Sequence, residues 1–309
     1  MSDPVYTRRY FSEGARQWLT RAYVDRAAYP LGSERVRVAL TLAVDQLGAA
    51  RGRLVDIGCG GGDLCFGAAD LGFETLGVDI AEGMIAEASR RAAALAPEVR
   101  SRLEFRVGDV LTLDDAGPSV DAVTALGLLE YLEADAPLFA WAARRLRPGG
   151  VLVVSCRNRL FNMASLNDYT RRECERGTAP ALLAELGTLP LGPDALAALD
   201  DFLRRLKDAL PELEAGLAAD RAAEIAPSET AAPFRGERRQ HTPHEIQAVG
   251  RLAGLRPAGL IGLHPHPWPP AWEGIAPRFY NRLAAVYEAL ETEPASLAWS
   301  SSFMAGFTR

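Results

Sequence analysis

Leu54-Val55-Asp56-Ile57-Gly58-Cys59-Gly60-Gly61-Gly62-Asp63 is an apolar strand running straight into a glycine-rich loop, and Gly77-Val78-Asp79 ends a second short apolar run downstream. Backbone that turns sharply from strand to helix, and approaches a ligand with no Cβ in the way, needs glycine. The helix that follows points its free N-terminal amides at that ligand. An acidic residue closing the next strand completes the arrangement by which a parallel α/β sheet holds the nucleoside part of a cofactor.

The rest of the chain is consistent with such a sheet. Strand patterns recur at 53–58, 75–79, 103–109, 120–127 and 151–156, with helical patterns between them, which predicts βαβ units and parallel pairing. Pro148-Gly149-Gly150 reads as the turn that launches the fifth strand. Residues 5–50 read as helices, with Phe11, Trp18, Leu19 and Tyr23 sharing one face and Val36, Leu40, Val44 and Leu47 another. From 157 to 239 no strand pattern is visible. Leu196, Leu199, Leu203, Leu206 and Leu210 repeat there at three and four residues, and Pro180, Pro190, Pro193, Pro211, Pro227 and Pro233 are expected to cut this helical insertion into short pieces. Thr242-Pro243-His244-Glu245 then forms a capping box that starts a helix running through Leu252 and ending at Gly254. A sixth strand at 258–263, a helix at 279–290 and a closing strand at 303–308 follow. The division expected is N-terminal helices over 1–50, a cofactor-binding core over 51–157, a helical insertion capping the substrate over 158–240, and the C-terminal part of the core over 241–309. Tyr6, Tyr10 and Phe11 are placed either to close over the cofactor as a lid or to pack as helix core.

Hydrophobic residues make up 48% and charged residues 24% of the 309, which is ordinary for a packed globule. A net charge of −6 with no strong basic run argues against a nucleic-acid groove and favours a small-molecule substrate. Cys59, Cys65, Cys156 and Cys174 form no C-x-x-C pair and have no histidines at zinc-ligand spacing, so they read as reduced thiols and no metal site is expected. No signal peptide and no bilayer-length apolar run is visible, and a cytoplasmic location away from membranes is the expectation.

Two kinds of cofactor share this architecture. A dinucleotide site carries G-x-G-x-x-G, and here the third glycine position is Asp63. A carboxylate facing a pyrophosphate is unfavourable, whereas one facing an ammonium and a sulfonium is not. At this point the chain resembles the class I S-adenosylmethionine-dependent methyltransferases, through five motifs in order. Residues 55–62 are similar to the family's D-x-G-C-G-x-G loop, Gly77-Val78-Asp79 to its second motif and Arg106-Val107-Gly108-Asp109 to its third. Residues 121–132, DAVTALGLLEYL, are similar to its fourth strand and loop, and Leu146-Arg147-Pro148-Gly149-Gly150 to the turn before its fifth. The resemblance implies an α/β, Rossmann-like, mostly parallel seven-stranded sheet of order 3-2-1-4-5-7-6, with the last strand antiparallel and helices on both faces. It also implies S-adenosylmethionine as cofactor, with Asp79 accepting from the ribose hydroxyls and Asp109 from the adenine amino group. The cofactor residues expected are Asp56, Gly58, Cys59, Gly60, Gly62, Asp79, Ile80, Asp109, Val110 and Leu126.

Methyl transfer from a sulfonium is an in-line displacement, so alignment and exclusion of water matter more than side-chain chemistry. An oxygen acceptor calls for a general base, and a neutral histidine is best poised. His241, after the insertion, and His264 and His266, leaving the sixth strand in His-Pro-His-Pro, are candidates, each also readable as a hydrogen-bonded loop residue. Relatives acting on ubiquinone precursors or porphyrin carboxylates often carry L-E-H after the fourth strand. This chain has Leu129-Glu130-Tyr131, so Tyr131 stands where that histidine would be. His241, His264 and Tyr131 are therefore the catalytic candidates. Arg157, Asn158, Asn162, Asn167 and Tyr169 follow the fifth strand and read equally as substrate contacts or as helix caps; Arg239 and His266 complete the substrate set. Arg235, Arg238 and Arg239 hint at an acidic or carboxylated acceptor. The reading favoured is O-methylation of a small molecule. Alternatives are cyclisation of S-adenosylmethionine on its own nitrogen with release of methylthioadenosine, a cofactor-binding protein without turnover, and a dinucleotide oxidoreductase.

Overall fold

The computed structural model describes residues 4–23, 29–109, 119–223 and 238–309. Val110, Pro227, Pro233 and Arg235, as well as the side chain of Tyr23, lie outside the described residues.

Seven strands form one sheet: β1 (Gly52–Ile57), β2 (Phe73–Asp79), β3 (Leu103–Val107), β4 (Val120–Leu126), β5 (Leu146–Arg157), β6 (Arg256–Pro265) and β7 (Ser300–Thr308). Their order is β3-β2-β1-β4-β5-β7-β6. β1 to β5 pair in parallel, while β7 runs antiparallel to both β5 and β6, which is the expected topology. The glycine loop thus leaves β1 in the middle of the sheet, beside β4, at the carboxyl end where such sheets bind ligands.

The N-terminal helices are α1 (Pro4–Glu13), α2 (Ala15–Tyr23) and α3 (Leu31–Leu47); the core adds α4 (Asp63–Leu71), α5 (Glu82–Ala92), the single turn α6 (Pro97–Arg100) and α7 (Ala136–Arg145). The insertion holds α8 (Asn162–Ser165), α9 (Asp168–Glu175), α10 (Ala179–Leu186) and α11 (Ala195–Ala222), and α12 (Pro243–Leu252) and α13 (Pro277–Tyr287) lie in the C-terminal part. On one face of the sheet Leu138, Phe139 and Trp141 of α7 and Ile246 of α12 pack on Val123, Val154 and Phe307; on the other, Val38, Leu40 and Leu42 of α3 and Leu64 of α4 pack on Leu54, Val153 and Met304. Each such side chain contributes about 1.5–3 kcal/mol when fully buried. Leu42 can settle this close because Gly259 and Gly306, on adjacent strands, leave room: a Cβ on either would come within 2.8 or 2.9 Å of its methyl groups.

Two expectations need correction. Pro148-Gly149-Gly150 is not a turn before β5 but an irregularity inside it, where pairing with β4 jumps from Val120↔Leu146 to Ala122↔Val151 and Gly149 adopts φ 76°. Pro211 does not divide the insertion; it sits inside the 28-residue α11. An interior proline costs about 3 kcal/mol, and here Ala209 and Leu213 on either side are buried against Leu283 and Val286 of α13 and hold the helix through it. The leucine period is helical as predicted; Leu196, Leu199, Leu203 and Leu210 are exposed, and Phe202, Leu206, Ala209 and Leu213 face α13. The capping box forms as read. Thr242 Oγ1 accepts from Glu245 N at 3.2 Å, Glu245 Oε2 accepts from Thr242 N at 2.8 Å, and α12 ends one residue before Ala253 and Gly254.

Candidate active site

The glycine loop is built by its own backbone. Gly58 and Gly60 adopt φ of 68° and 52°, and the amides of Gly58 and Cys59 donate to Val78 O at 2.8 and 3.1 Å, which ties the loop to β2. Asp79 then accepts from Gly60 N at 2.9 Å and from Ala81 N at 2.8 Å, so one carboxylate organises two loops. Burial raises its pKa against those two bonds. Asp56, only 3% exposed, accepts from Thr124 Oγ1 at 2.7 Å and Cys65 Sγ at 3.7 Å. Burial pushes its carboxyl up to about 7, and the nearby Asp79 and Asp63 add to the effect.

These loops open on a cavity of about 870 Å³. Of the expected cofactor residues, Asp56, Gly58, Cys59 and Gly60 line it from the first loop, Asp79 and Ile80 from the second, and Asp109 and Leu126 from the ends of β3 and β4. Gly62 does not line it. It caps α4 at φ 84°, where a Cβ would meet Phe66 and Phe105 at 2.9 Å. Asp63 is also turned away: Arg91 holds it through two bonds of 2.6 and 2.8 Å. The sequence argument that Asp63 would face the ligand is therefore wrong, because its charge is already met. What favours a cationic ligand is instead the pair Asp56 and Asp79, two carboxyls lining the cavity whose pKa values are raised by burial and would be lowered by a positive charge beside them. The ammonium and sulfonium of S-adenosylmethionine supply it, while the unobstructed Gly58–Gly60 backbone leaves room for the nucleoside.

The far end of the cavity is assembled from distant segments. His264 lines it, with Nδ1 3.1 Å from Ser301 Oγ and its ring stacked on Tyr29 at 4.5 Å. It has a left-handed backbone, φ 55°, which is strained for a residue with a Cβ. Burial, with Arg35, Arg157 and His266 nearby, holds its pKa well below the usual histidine range, so the ring is neutral at neutral pH. Tyr131 lines the cavity edge-on to Phe11 at 5.3 Å, and burial raises its phenol pKa.

The other candidates sit behind this wall. His241 Nε2 is 3.2 Å from Asp135 Oδ2, and Arg239 grips the same carboxylate at 2.6 and 2.8 Å, so both tie the end of the insertion to the start of α7. His266 gives Nδ1 to Tyr280 at 2.9 Å and stacks on Phe161 at 4.7 Å. Asn158 is fully buried, its amide donating to Leu297 O and Ser300 O at 2.7 and 2.8 Å. Asn162 bonds Glu173 and Gln240, and Asn167 caps α9. Tyr169 lies under Arg157, 5.6 Å from guanidinium to ring centre. Of the polar run after β5, Asn162 and Asn167 serve the insertion's own architecture and Asn158 anchors the end of β5 to residues 297 and 300, whereas Arg157 reaches toward Glu130, 3.9 Å away.

Several lining residues went unread in the sequence. Gly61 lines the cavity, and a Cβ there would meet Leu19 of α2 at 2.5 Å. Arg35 and Glu130 also line it, beside Arg238, one of the arginines that hinted at an acidic acceptor. Glu130 sat in the quoted Leu129-Glu130-Tyr131 and could have been weighed; Arg35 carried no local signal, since arginines occur throughout.

Comparison with known proteins agrees with this geometry. Residues 54–150 match the methyltransferase domain family. A ubiquinone biosynthesis O-methyltransferase from Azorhizobium caulinodans is 37% identical over 131 residues, 41% of this chain and 50% of that protein. One from Xanthomonas oryzae pv. oryzae is 34% identical over 147 residues, 46% and 59% respectively. The chain spans about half the length of the curated relatives it matches. Among solved structures, the magnesium protoporphyrin IX methyltransferase from Synechocystis PCC 6803 with bound SAH superposes with a TM-score of 0.56 at 16% identity, covering 99% of this chain and 98% of that one. The CcbJ methyltransferase from Streptomyces caelestis does so at 0.56 and 16%, covering 97% of each. These two likenesses are of fold. No described helix is long and apolar enough to cross a membrane. Residues 54–150 thus form a methyltransferase domain, carried on a sheet with the strand order of the class I S-adenosylmethionine-dependent methyltransferase fold.

Proposed function

We propose that the protein methylates a small molecule at oxygen. The observation that carries this reading is the continuity of the cavity: the cofactor loops and Tyr29, Arg35, Glu130, Tyr131, Arg238 and His264 line one and the same space. Its volume, about 870 Å³, falls in the upper part of the range for ligand pockets, about 300–1,000 Å³, which suits a donor and a small acceptor side by side. When bound, S-adenosylmethionine supplies an electrophilic methyl carbon; the acceptor oxygen bonds to it as the carbon–sulfur bond breaks, S-adenosylhomocysteine leaves, and the acceptor proton passes to a base. His264, neutral and lining the chamber, is the base we assign. The O-methyltransferase names of the curated relatives support the oxygen assignment. His241 and His266 are given supporting roles, because neither lines the cavity and each spends one ring nitrogen on a packing contact, with Asp135 and Tyr280.

The test is to incubate the full chain with methyl-tritiated S-adenosylmethionine, alone and with a panel of phenols and hydroxy acids. Labelled product appearing only with an acceptor, and falling at least about a hundredfold for His264→Ala, is expected. Methylthioadenosine formed from the cofactor alone sinks the reading.

A further inference from the structure

Helix α11 has two apolar faces and buries one of them. Phe202, Leu206, Ala209 and Leu213 pack against α13, whereas Leu196, Leu199, Leu203 and Leu210 are between 47% and 81% exposed. At about 100° per residue these four leucines fall within about 60° of one another, roughly a quarter-turn round the helix from the face on α13. Single apolar side chains scattered over a surface are ordinary; a line of four leucines marks an interaction surface. All four precede Pro211, so the stripe lies on one unbroken stretch of helix, about 21 Å from residue 196 to residue 210.

The charges beside the stripe indicate what covers it. Most ionic side chains of this stretch are answered within the helix: Asp201 pairs with Arg204 and Arg205, and Arg204 also reaches Asp208. Asp200 and Lys207 are left over. Both are exposed, and among the described residues neither side chain makes an ion pair or a hydrogen bond. Lys207 is also the only lysine of the chain. The two lie on one flank of the stripe, two turns and about 10 Å apart, too far to meet each other.

Their spacing is symmetric. Asp200 and Lys207 bracket Leu203, and Leu196 and Leu210 stand seven residues to either side of that same leucine. Turned end over end about Leu203, the stripe therefore matches itself: leucine lies on leucine, and each Asp200 comes opposite Lys207 of the other copy. Two copies laid parallel would instead set Asp200 against Asp200 and Lys207 against Lys207. Charges that flank an apolar helix seam fix partner and orientation in this way.

We propose that the stripe is a homodimer interface, in which two copies of the chain pair through antiparallel α11 helices about a two-fold axis at Leu203. The Asp200–Lys207 pairs close it on both sides of the axis. A single stripe of this length covers less than the roughly 800 Å² per partner of a standard interface, which sets a dissociation constant in the micromolar range and a monomer when dilute. No residue of α11 lines the cavity, so the pairing stands or falls independently of the methyl-transfer reading.

The test is sedimentation velocity of the full chain from about 1 to 200 µM, a range that brackets micromolar association. A monomer–dimer equilibrium is expected. Leu203→Glu sets two carboxylates on the axis and should leave a monomer throughout, with a thermal midpoint within about 2 °C of wild type because the position is exposed. Lys207→Glu should weaken the dimer at least about tenfold, and Asp200→Lys combined with Lys207→Asp should restore it to within about threefold of wild type. S-adenosylhomocysteine affinity should stay within about twofold in every variant, since none touches the cavity. A monomer at every concentration overturns the proposal and leaves the stripe to a partner other than a second copy. A dimer that survives Leu203→Glu overturns it by placing the contact elsewhere. A dimer indifferent to Lys207→Glu, or not restored by the charge exchange, overturns the antiparallel pairing about Leu203.

Discussion

The two ends of the cavity are built on opposite principles. At the donor end, residues close in sequence satisfy one another before any ligand arrives: Asp79 uses both oxygens on the amides of Gly60 and Ala81, and Asp56 is held by Thr124 and Cys65. At the acceptor end Arg35, Glu130, Arg238 and His264 come from four separate stretches, and buried atoms of Arg35, Glu130 and His264 have no hydrogen-bond partner. A donor site with its hydrogen bonds complete needs no rearrangement on binding, which lowers the cost of association. An acceptor site with polar atoms left over is one whose last hydrogen bonds come from the ligand.

The sharpest way to break this contrast is at Asp79. Asp79→Ala removes the acceptor for two loop amides as well as a carboxylate lining the cavity, and S-adenosylhomocysteine affinity should fall about a hundredfold by calorimetry. Near-normal binding would mean that the donor end is not organised by that carboxylate.

Acid should find the acceptor side next. His266 has a folded pKa of about 4 against an ordinary 6.5, because burial disfavours its charged form. The unfolded chain therefore takes up the proton first. This contribution is complete above pH 6.5 and is lost as pH falls toward 4, by up to about 3 kcal/mol. Urea unfolding between pH 7 and 4 measures it, and His266→Gln should flatten the decline. His264, shifted in the same direction, leaves a residual slope in that variant.

The smallest effect concerns Asp56. With its carboxyl at about 7 in the free protein, a cationic cofactor that favours the ionised form must displace a proton below that pH. Affinity for S-adenosylmethionine should then weaken by up to about tenfold per unit between pH 7 and 6. Calorimetry in two buffers of different ionisation enthalpy should register proton release. Affinity independent of pH in that window would show that Asp56 is already ionised and that the donor end is electrostatically complete without its ligand.

The same contrast governs what could be read from the chain alone. The donor end follows from local rules, a glycine loop after a strand and an acid closing the next, so Asp56, Gly58, Gly60 and Asp79 were legible by position. Asp63 misled because its partner Arg91 lies 28 residues on, and spacing along the chain does not reveal an ion pair. The sheet order was legible through the motifs that resemble known methyltransferases, and Thr242-Pro243-His244-Glu245 through capping chemistry. The acceptor wall was not, since nothing local distinguishes Arg35 from the chain's many other arginines. The polar run at Asn158, Asn162 and Asn167 looked alike as ligand contacts or caps, and only the hydrogen bonds to Leu297 O, Glu173 and Tyr169 N separate the two.

Pro211 sets how the long helix of the insertion comes apart. Proline has no amide to give, so the carbonyl four residues before it, on Lys207, has no helical donor and the ladder is interrupted there. The half after it is pinned at its far end, where the Asp220 carboxylate accepts from the amide of Phe279 at 3.0 Å at the start of α13. The half before it displays Leu196, Leu199 and Leu203 to water. Amide hydrogens should accordingly exchange in two blocks, with residues 212–222 the slower.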